Sequence, residues 1–196
     1  MDNDTPGGLI QDVSRLVESE MGLHYPPERW PDLQRGLLAA GSDLGYAEGD
    51  AAGIAERLLA APLNKRQIEA LAGALTVGET FFFRDRATFT ALEHDILPAL
   101  IAARRAGNRH LRLWSAGCCT GEEPYSLAML IARLLPDRED WRVSILATDI
   151  NPRFLQKAEE GVFAEWSFRD VPPWLKQRYF TQTPNGRFAI LPYIKE

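Results

Sequence analysis

Apolar residues Leu9, Val13, Leu16, Val17 and Met21 recur every three or four positions, and Gly22 follows the last of them. That spacing predicts one buried face of an α-helix with a glycine at its end. Trp30, Leu33 and Leu37 carry the helical period up to Gly41-Ser42-Asp43, which reads as a break. Ile54, Leu58 and Leu59 predict a short third helix. Asn64 and Gln67 have the offset of a capping box and open a helix through Ile68, Leu71 and Leu75. The pattern predicts a bundle of about four short helices over residues 1–75.

Beyond residue 75 the pattern changes. Phe89, Leu92, Ile96 and Leu100 predict a helix over 87–105 with a kink at Pro98. "AGNR" is a turn, and "LRLWS" alternates as a strand. The loop "AGCCTGEE" follows, and Pro124 suits the first position of a helix that Leu127, Leu130, Ile131 and Leu134 carry to Pro136. "WRVSILATD" predicts a second strand, and "NPRFLQKAEEG" a helix closed by Gly161. Strand, glycine loop, helix, strand and helix in that order imply a parallel α/β unit, the start of a doubly wound sheet. Ligands bind such sheets at the carboxyl ends of the strands, which puts "SAGCCTGEE" and "TDINP" on one rim.

Composition narrows the class of protein. A length of 196 residues suits one ordinary domain or two small ones, and 45% hydrophobic with 25% charged residues is globular. The net charge of −5 argues against a general nucleic-acid binder. The start "MDNDTPGG" is polar and acidic, unlike a secretory or transit peptide. The apolar run around Ile96 to Ala103 is too short to span a bilayer, so a cytoplasmic protein without membrane insertion is expected. Cys118 and Cys119 are adjacent and form no disulfide framework; with His24, His94 and His110 they offer no metal-ligand spacing, so no metal is expected.

The candidate chemistry lies in three stretches. "TVGETFFFRD" sets Phe81, Phe82 and Phe83 in a row before Arg84, more rings than one face of a strand or helix accommodates. A core segment capped by an Arg84–Asp85 ion pair accounts for it as well as a binding role does. The glycine loop has no Gly-Lys-Ser/Thr, and Glu122 and Glu123 would repel a phosphate, so a cationic ligand such as S-adenosylmethionine suits it better. First-turn acids also cap helices, and that reading of Glu122 and Glu123 stays open. Asp149, ending the second strand, can accept both ribose hydroxyls of an adenosine, and Asp149 or Asn151 would equally cap the next helix.

"TVGETFFFRD", "LWSAGCCTGEEPYSLAM", "ATDINPRFLQKAEEGVF" and the later "RYF" resemble the CheR-type chemoreceptor glutamate methyltransferases, over roughly residues 5–196. The resemblance implies an α/β fold. A helical domain at 1–75 leads through an aromatic linker at 76–86 that lines the cofactor cleft. The first part of a Rossmann-like S-adenosylmethionine-dependent methyltransferase domain occupies 87–175, and an inserted β subdomain starts at 176–196, with "RFAILPYIKE" as its first strand. It implies methyl transfer from S-adenosylmethionine to glutamate side chains on the cytoplasmic helical bundle of a chemoreceptor, leaving S-adenosylhomocysteine. Thr80 and Arg84 match the family's cofactor-contacting Thr and Arg, and Arg84 its catalytic candidate. Glu123 and Asp149 match the acids that hold cofactor and ribose, and Gly117 and Ile150 complete the expected cofactor set. Gly78 stands where many members have Asn, so a side-chain contact is lost there; Cys119 stands where Ser is frequent. The basic receptor-docking helix is thin, with only Arg29 and Arg35 in "ERWPDLQRGLLAA". The family's later strands, including an Arg-Asn motif, are not in the sequence. The chain is therefore expected to be incomplete at its C-terminus, to lack one wall of the adenine pocket, and to bind cofactor weakly or complete its sheet with another chain. The alternative is a non-catalytic receptor- or cofactor-binding module.

Overall fold

A computed structural model describes residues 7–47 and 49–195, which form two compact units, 7–47 and 49–77 with 150–152, and 78–149 with 153–195. In the first unit the helices are α1 (Gly7–Met21), α2 (Trp30–Leu44), α3 (Ala51–Leu59) and α4 (Lys65–Leu75). Their apolar stripes meet in one core, with Val13 and Val17 of α1, Leu33 and Leu37 of α2, Ile54 and Leu58 of α3, and Leu71 of α4 all buried. The capping box at Asn64 and Gln67 is present in both directions. Tyr25 is buried with its hydroxyl donating to the Leu75 carbonyl at 2.7 Å, and Ser14 Oγ donates to the Tyr25 carbonyl at 2.8 Å.

The break expected at 41–43 is not there: α2 runs on to Leu44 and ends at Gly45, whose φ is 78°. Gly41 is a close-packing residue, since a Cβ at that position would stand 2.3 Å from Ile54 Cδ1. Glycine inside the helix is what lets α3 approach. Arg29 and Arg35, the basic residues of this stretch, both pair with Asp32.

The second unit opens with α5 (Arg86–Ala91) and α6 (Leu97–Arg105), joined by a π-helical turn over Leu92–Ile96. The expected kink at Pro98 therefore lies upstream of the proline. A proline at 98 cannot bond to the carbonyl four residues back and its ring would crowd it. The chain widens instead, and the Leu97 N–H donates to the Leu92 carbonyl, five residues back.

Strands β1 (His110–Ala116) and β2 (Arg142–Thr148) pair in parallel, in register from His110 opposite Arg142 to Ala116 opposite Thr148. Helix α7 (Glu122–Leu134) connects them, with Pro124 third rather than first in the helix, where its absent N–H still costs no bond. Leu111 of β1 is buried with Ile101 of α6, and with Leu127, Leu130 and Ile131 of α7. On the opposite face Trp114 and Leu146, direct cross-strand neighbours, are 67% and 60% exposed.

After β2 come α8 (Pro152–Glu160), β3 (Val162–Phe163), a 3₁₀ turn at Glu165–Phe168, α9 (Pro173–Tyr179), β4 (Phe180–Gln182), β5 (Phe188–Ile190) and α10 (Pro192–Lys195). The stretch read from sequence as the first strand of the small β element, β5, is its centre, with β3 and β4 antiparallel on either side.

The three phenylalanines of the linker go three ways. Phe82 is fully buried, 4.8 Å from the ring of Phe163, 5.0 Å from Phe168 and 5.1 Å from Phe180. Phe83 turns the opposite way with a φ of 57° and stacks edge-on against Phe89 at 4.9 Å. Phe81 is half-buried beneath the Arg169 guanidinium, 3.7 Å from its carbon to the ring centroid. Phe82 is thus the linker's hydrophobic anchor. Phe82→Ala is expected to destabilise the chain by about 3–5 kcal/mol in urea unfolding; a loss under about 1 kcal/mol would mean the surrounding rings hold the linker without it.

Candidate functional site

The parallel register brings the carboxyl ends of β1 and β2 side by side, and the loop after β1 folds back onto β2. Gly117 and Cys118 both donate backbone N–H bonds to the Thr148 carbonyl, at 2.8 and 2.9 Å. The Cys119 N–H donates to Asp149 Oδ2 at 2.9 Å. Asp149 therefore pins the loop, a contact other than the two that its sequence position suggests. Cys119 has a φ of 49°, uncommon for a residue with a side chain. Burial pushes the Cys118 thiol up to about 11, with the Asp149 carboxylate adding to it, and burial raises Cys119 as well. Neither is a thiolate at neutral pH.

The two glutamates at the start of α7 separate cleanly. Glu122 is 3% exposed, and its two oxygens accept from Thr120 Oγ1 at 2.6 Å and Ser167 Oγ at 2.9 Å. Glu123 is exposed, and Ser115, buried at the end of β1, donates to its Oε1 at 2.6 Å. Of the pair, only Glu123 presents its carboxylate to a cavity.

That cavity, of about 290 Å³, is lined by Thr80, Phe81, Arg84 and Glu79 of the linker, Gly117, Cys118 and Cys119 of the loop, and Glu123 of α7. Four of the six residues expected from sequence, Thr80, Arg84, Gly117 and Glu123, line it together. Asp149 acts from behind through Cys119, and Ile150, 43% exposed, is counted with the first unit. Gly117 has a φ of 73°, and a Cβ there would meet no atom within 4 Å, so glycine keeps the loop's exposed side open. A larger cavity of about 480 Å³ shares Asp85, Phe89 and Glu123 with it, but its apolar walls are mainly leucines of β1 and the neighbouring helices. The polar groups converge on the smaller one.

Arg84 is exposed, donates from Nη1 to the Glu79 carbonyl, and forms no ion pair among the described residues. The pairing with Asp85 does not occur. Asp85 caps α5 instead, accepting from the Thr88 N–H at 3.1 Å and the Thr88 hydroxyl at 2.6 Å, bonds that hold its carboxyl below the usual range. Among the described residues no group of three His, Cys, Asp or Glu side chains could hold a metal ion.

Several supporting residues escape sequence reasoning. Ser115 fixes Glu123; Ser126, fully buried, accepts from the Phe83 N–H at 3.1 Å and donates to the Glu122 carbonyl at 2.6 Å; Ser167 reaches Glu122 from 45 residues away. The one signal for Ser115 and Ser126 is a small polar residue at a position whose period marks it as buried.

Residues 78–196 match the family model described as CheR methyltransferase, SAM binding domain. The chain belongs to this CheR methyltransferase family. Among its relatives, the chemotaxis protein methyltransferase of Borreliella burgdorferi is 35% identical over 132 residues, 66% of this chain and 47% of the relative. Chemotaxis protein methyltransferase 2 of Vibrio cholerae is 32% identical over 130 residues, 66% of this chain and 44% of the relative. The chemotaxis protein methyltransferase of Vibrio parahaemolyticus is 30% identical over 201 residues, 94% of this chain and 66% of the relative. The first two alignments take in 47% and 44% of those proteins, so the chain spans about half the length of such relatives. The CheR match starts at Gly78 and takes in the linker, the glycine loop, the rim of both parallel strands and the small antiparallel sheet.

Gly78 itself has a structural reason within this CheR chain. A Cβ at 78 would stand 2.5 Å from Phe154 Cζ, 2.8 Å from Phe154 Cε1 and 3.1 Å from Cys119 Sγ. The Phe154 ring fills the space a side chain would need. Gly78→Asn is accordingly expected to destabilise the chain by about 1–3 kcal/mol, an overpacking cost. Gly78→Asn with Phe154→Ala should recover much of that loss relative to Phe154→Ala alone, as read from urea midpoints. Equal penalties in the two backgrounds would remove Phe154 as the cause.

Proposed function

We propose that this chain forms the S-adenosylmethionine-binding part of a protein-glutamate O-methyltransferase. Its substrates would be glutamate side chains on the cytoplasmic helical bundle of a chemoreceptor, and its product S-adenosylhomocysteine. Membership of the CheR methyltransferase family supports the cofactor, and relatives named as chemotaxis protein methyltransferases support the substrate class. We read residues 1–75 as a helical domain, 76–86 as a linker along the cofactor cleft, 87–175 as a Rossmann-like methyltransferase core, and 176–196 as part of a β subdomain.

The observation that carries the reading is that an arginine fork and an exposed carboxylate line one cavity, each held among the described residues by a neutral group. That donor set fits the amino-acid end of S-adenosylmethionine, with its ammonium and carboxylate, and the open Gly117 side of the loop leaves room for it. Glu123 would take the ammonium, and Arg84 and Thr80 the carboxylate side. Asp149 would accept from the ribose hydroxyls, as acids at the carboxyl end of such strands do. Ile150 would lie along the adenine.

When bound, the cofactor supplies a methyl group on a sulfonium. The accepting glutamate is ionised at neutral pH, so no residue of this chain need act as general base. Its negative charge is consumed as its oxygen gains the methyl, and a residue that gripped that charge tightly would slow the step. The task of the site is therefore alignment of the two reactants, with Arg84 fixing the cofactor through its carboxylate and Phe81 and the loop excluding water.

Calorimetric titration with S-adenosylhomocysteine tests the reading. Saturable binding is expected, and Glu123→Gln should weaken it at least tenfold, about 1.4 kcal/mol, with an unchanged unfolding midpoint. Glu122→Gln should instead lower the midpoint, since replacing one carboxylate oxygen with an amide leaves a buried hydroxyl without its acceptor, worth about 1–3 kcal/mol. Affinity that falls with Glu122 and not with Glu123 would overturn the assignment.

A further inference from the structure

We infer that Arg169 is a positioning residue of this site, fixing the Glu79–Phe81 stretch of the linker and, through it, the place of Arg84 in the cavity. The inference rests on the reading of Arg84 as a cofactor contact.

Arg169 follows the 3₁₀ turn at Glu165–Phe168, and that turn is itself locked: Ser167 and Phe168 are buried, and the Ser167 carbonyl accepts the Phe82 N–H at 3.0 Å. From this fixed base the Arg169 side chain, 19% exposed, reaches over the linker. Its guanidinium carbon stands 3.7 Å from the Phe81 ring centroid and 4.4 Å from that of Trp166. Nη1 donates to the Trp166 carbonyl at 3.0 Å, and Nη2 lies 3.9 Å from Glu79 Oε1. The ion pair is long and Glu79 is 70% exposed, so it contributes little. The stacking on Phe81 is short and largely shielded from water, where cation–π attraction is strongest.

Glu79 connects this arginine to the other one. Its side chain faces Arg169, and its carbonyl accepts from Arg84 Nη1. That is the only hydrogen bond that orients Arg84 among the described residues, and Phe81 is its neighbour by three positions. Fixing residues 79–81 therefore fixes the acceptor that aims Arg84. Nothing in Phe82's aromatic cluster depends on Arg169, so the core survives its removal.

A double-mutant cycle on S-adenosylhomocysteine affinity, measured by calorimetry on the whole chain, tests this. Arg84→Ala and Arg169→Ala should each weaken binding about tenfold. The double variant should bind within threefold of Arg84→Ala, rather than the further tenfold weaker expected of independent residues. Arg169→Lys should rescue poorly, because an ammonium cannot reproduce the planar stack and fork. Urea midpoints of Arg169→Ala should stay close to wild type. Independent losses in the cycle, full rescue by lysine, or an Arg169→Ala affinity within threefold of wild type would each overturn the inference. A wild-type chain with no affinity for S-adenosylhomocysteine would instead remove the cofactor reading on which it stands.

Discussion

The carboxylate of Glu122 is the point on which the site depends. It is buried, and a buried carboxylate must have its oxygens satisfied or it destabilises the fold. One oxygen accepts from Thr120 and so shapes the glycine loop; the other accepts from Ser167 and so docks the 3₁₀ turn against the start of α7. The backbone carbonyl of the same residue accepts from Ser126, whose hydroxyl oxygen in turn accepts the Phe83 N–H. Loop, turn and linker are thus all tied to one residue. The outward direction of Glu123 follows from it: successive residues of a helix are turned by about 100°, so burying the first acid swings the second to the rim. Two adjacent glutamates of equal chemistry take different duties because the helix separates their directions.

The linker shows the same constraint from the other side. Phe82 is drawn into the cluster with Phe163, Phe168 and Phe180, while Phe83 packs against Phe89 beside α5. Between them the backbone does not run on as an extended strand but turns sharply, Phe83 having a φ of 57°. For a residue with a Cβ that conformation costs roughly 1–2 kcal/mol. Ring burial on both sides offsets it. The turn sends Arg84 away from the core, which is why three large rings precede an exposed arginine.

Much of this was legible in the chain. The periods of α1, α3 and α4, the capping box, and the strand–loop–helix–strand order needed only local pattern, and the structure carries those elements. What misled were residues whose meaning depends on distant neighbours. Gly41 resembles a helix end, but it is the contact point for Ile54, which is 13 residues on. Pro98 suggests a kink at its own position, but the backbone adjusts one turn earlier. At the site, sequence offered Glu122 and Glu123 as equals because the partners that distinguish them, Ser167 and Ser115, lie on other elements. Arg169 left no trace at all, since cation–π stacking has no period.

The electrostatics of the cavity follow from which partners are absent as much as from which are present. Arg84 and Glu123 line the same space without forming an ion pair, and each is oriented by a neutral group, a carbonyl for the arginine and a hydroxyl for the glutamate. Had they met, a ligand would have to break a charged pair before it could bind. Held apart, each keeps its charge available at a fixed position, and neutral partners orient it without cancelling it. On the proposed reading, a ligand end that carries an ammonium and a carboxylate would meet both at once, whereas a phosphate would meet Glu123 as a repulsion. The bond from Ser115 to Glu123 would then contribute to selectivity as well as to geometry, since it holds a carboxylate at the mouth of a glycine loop that would otherwise suit an anion.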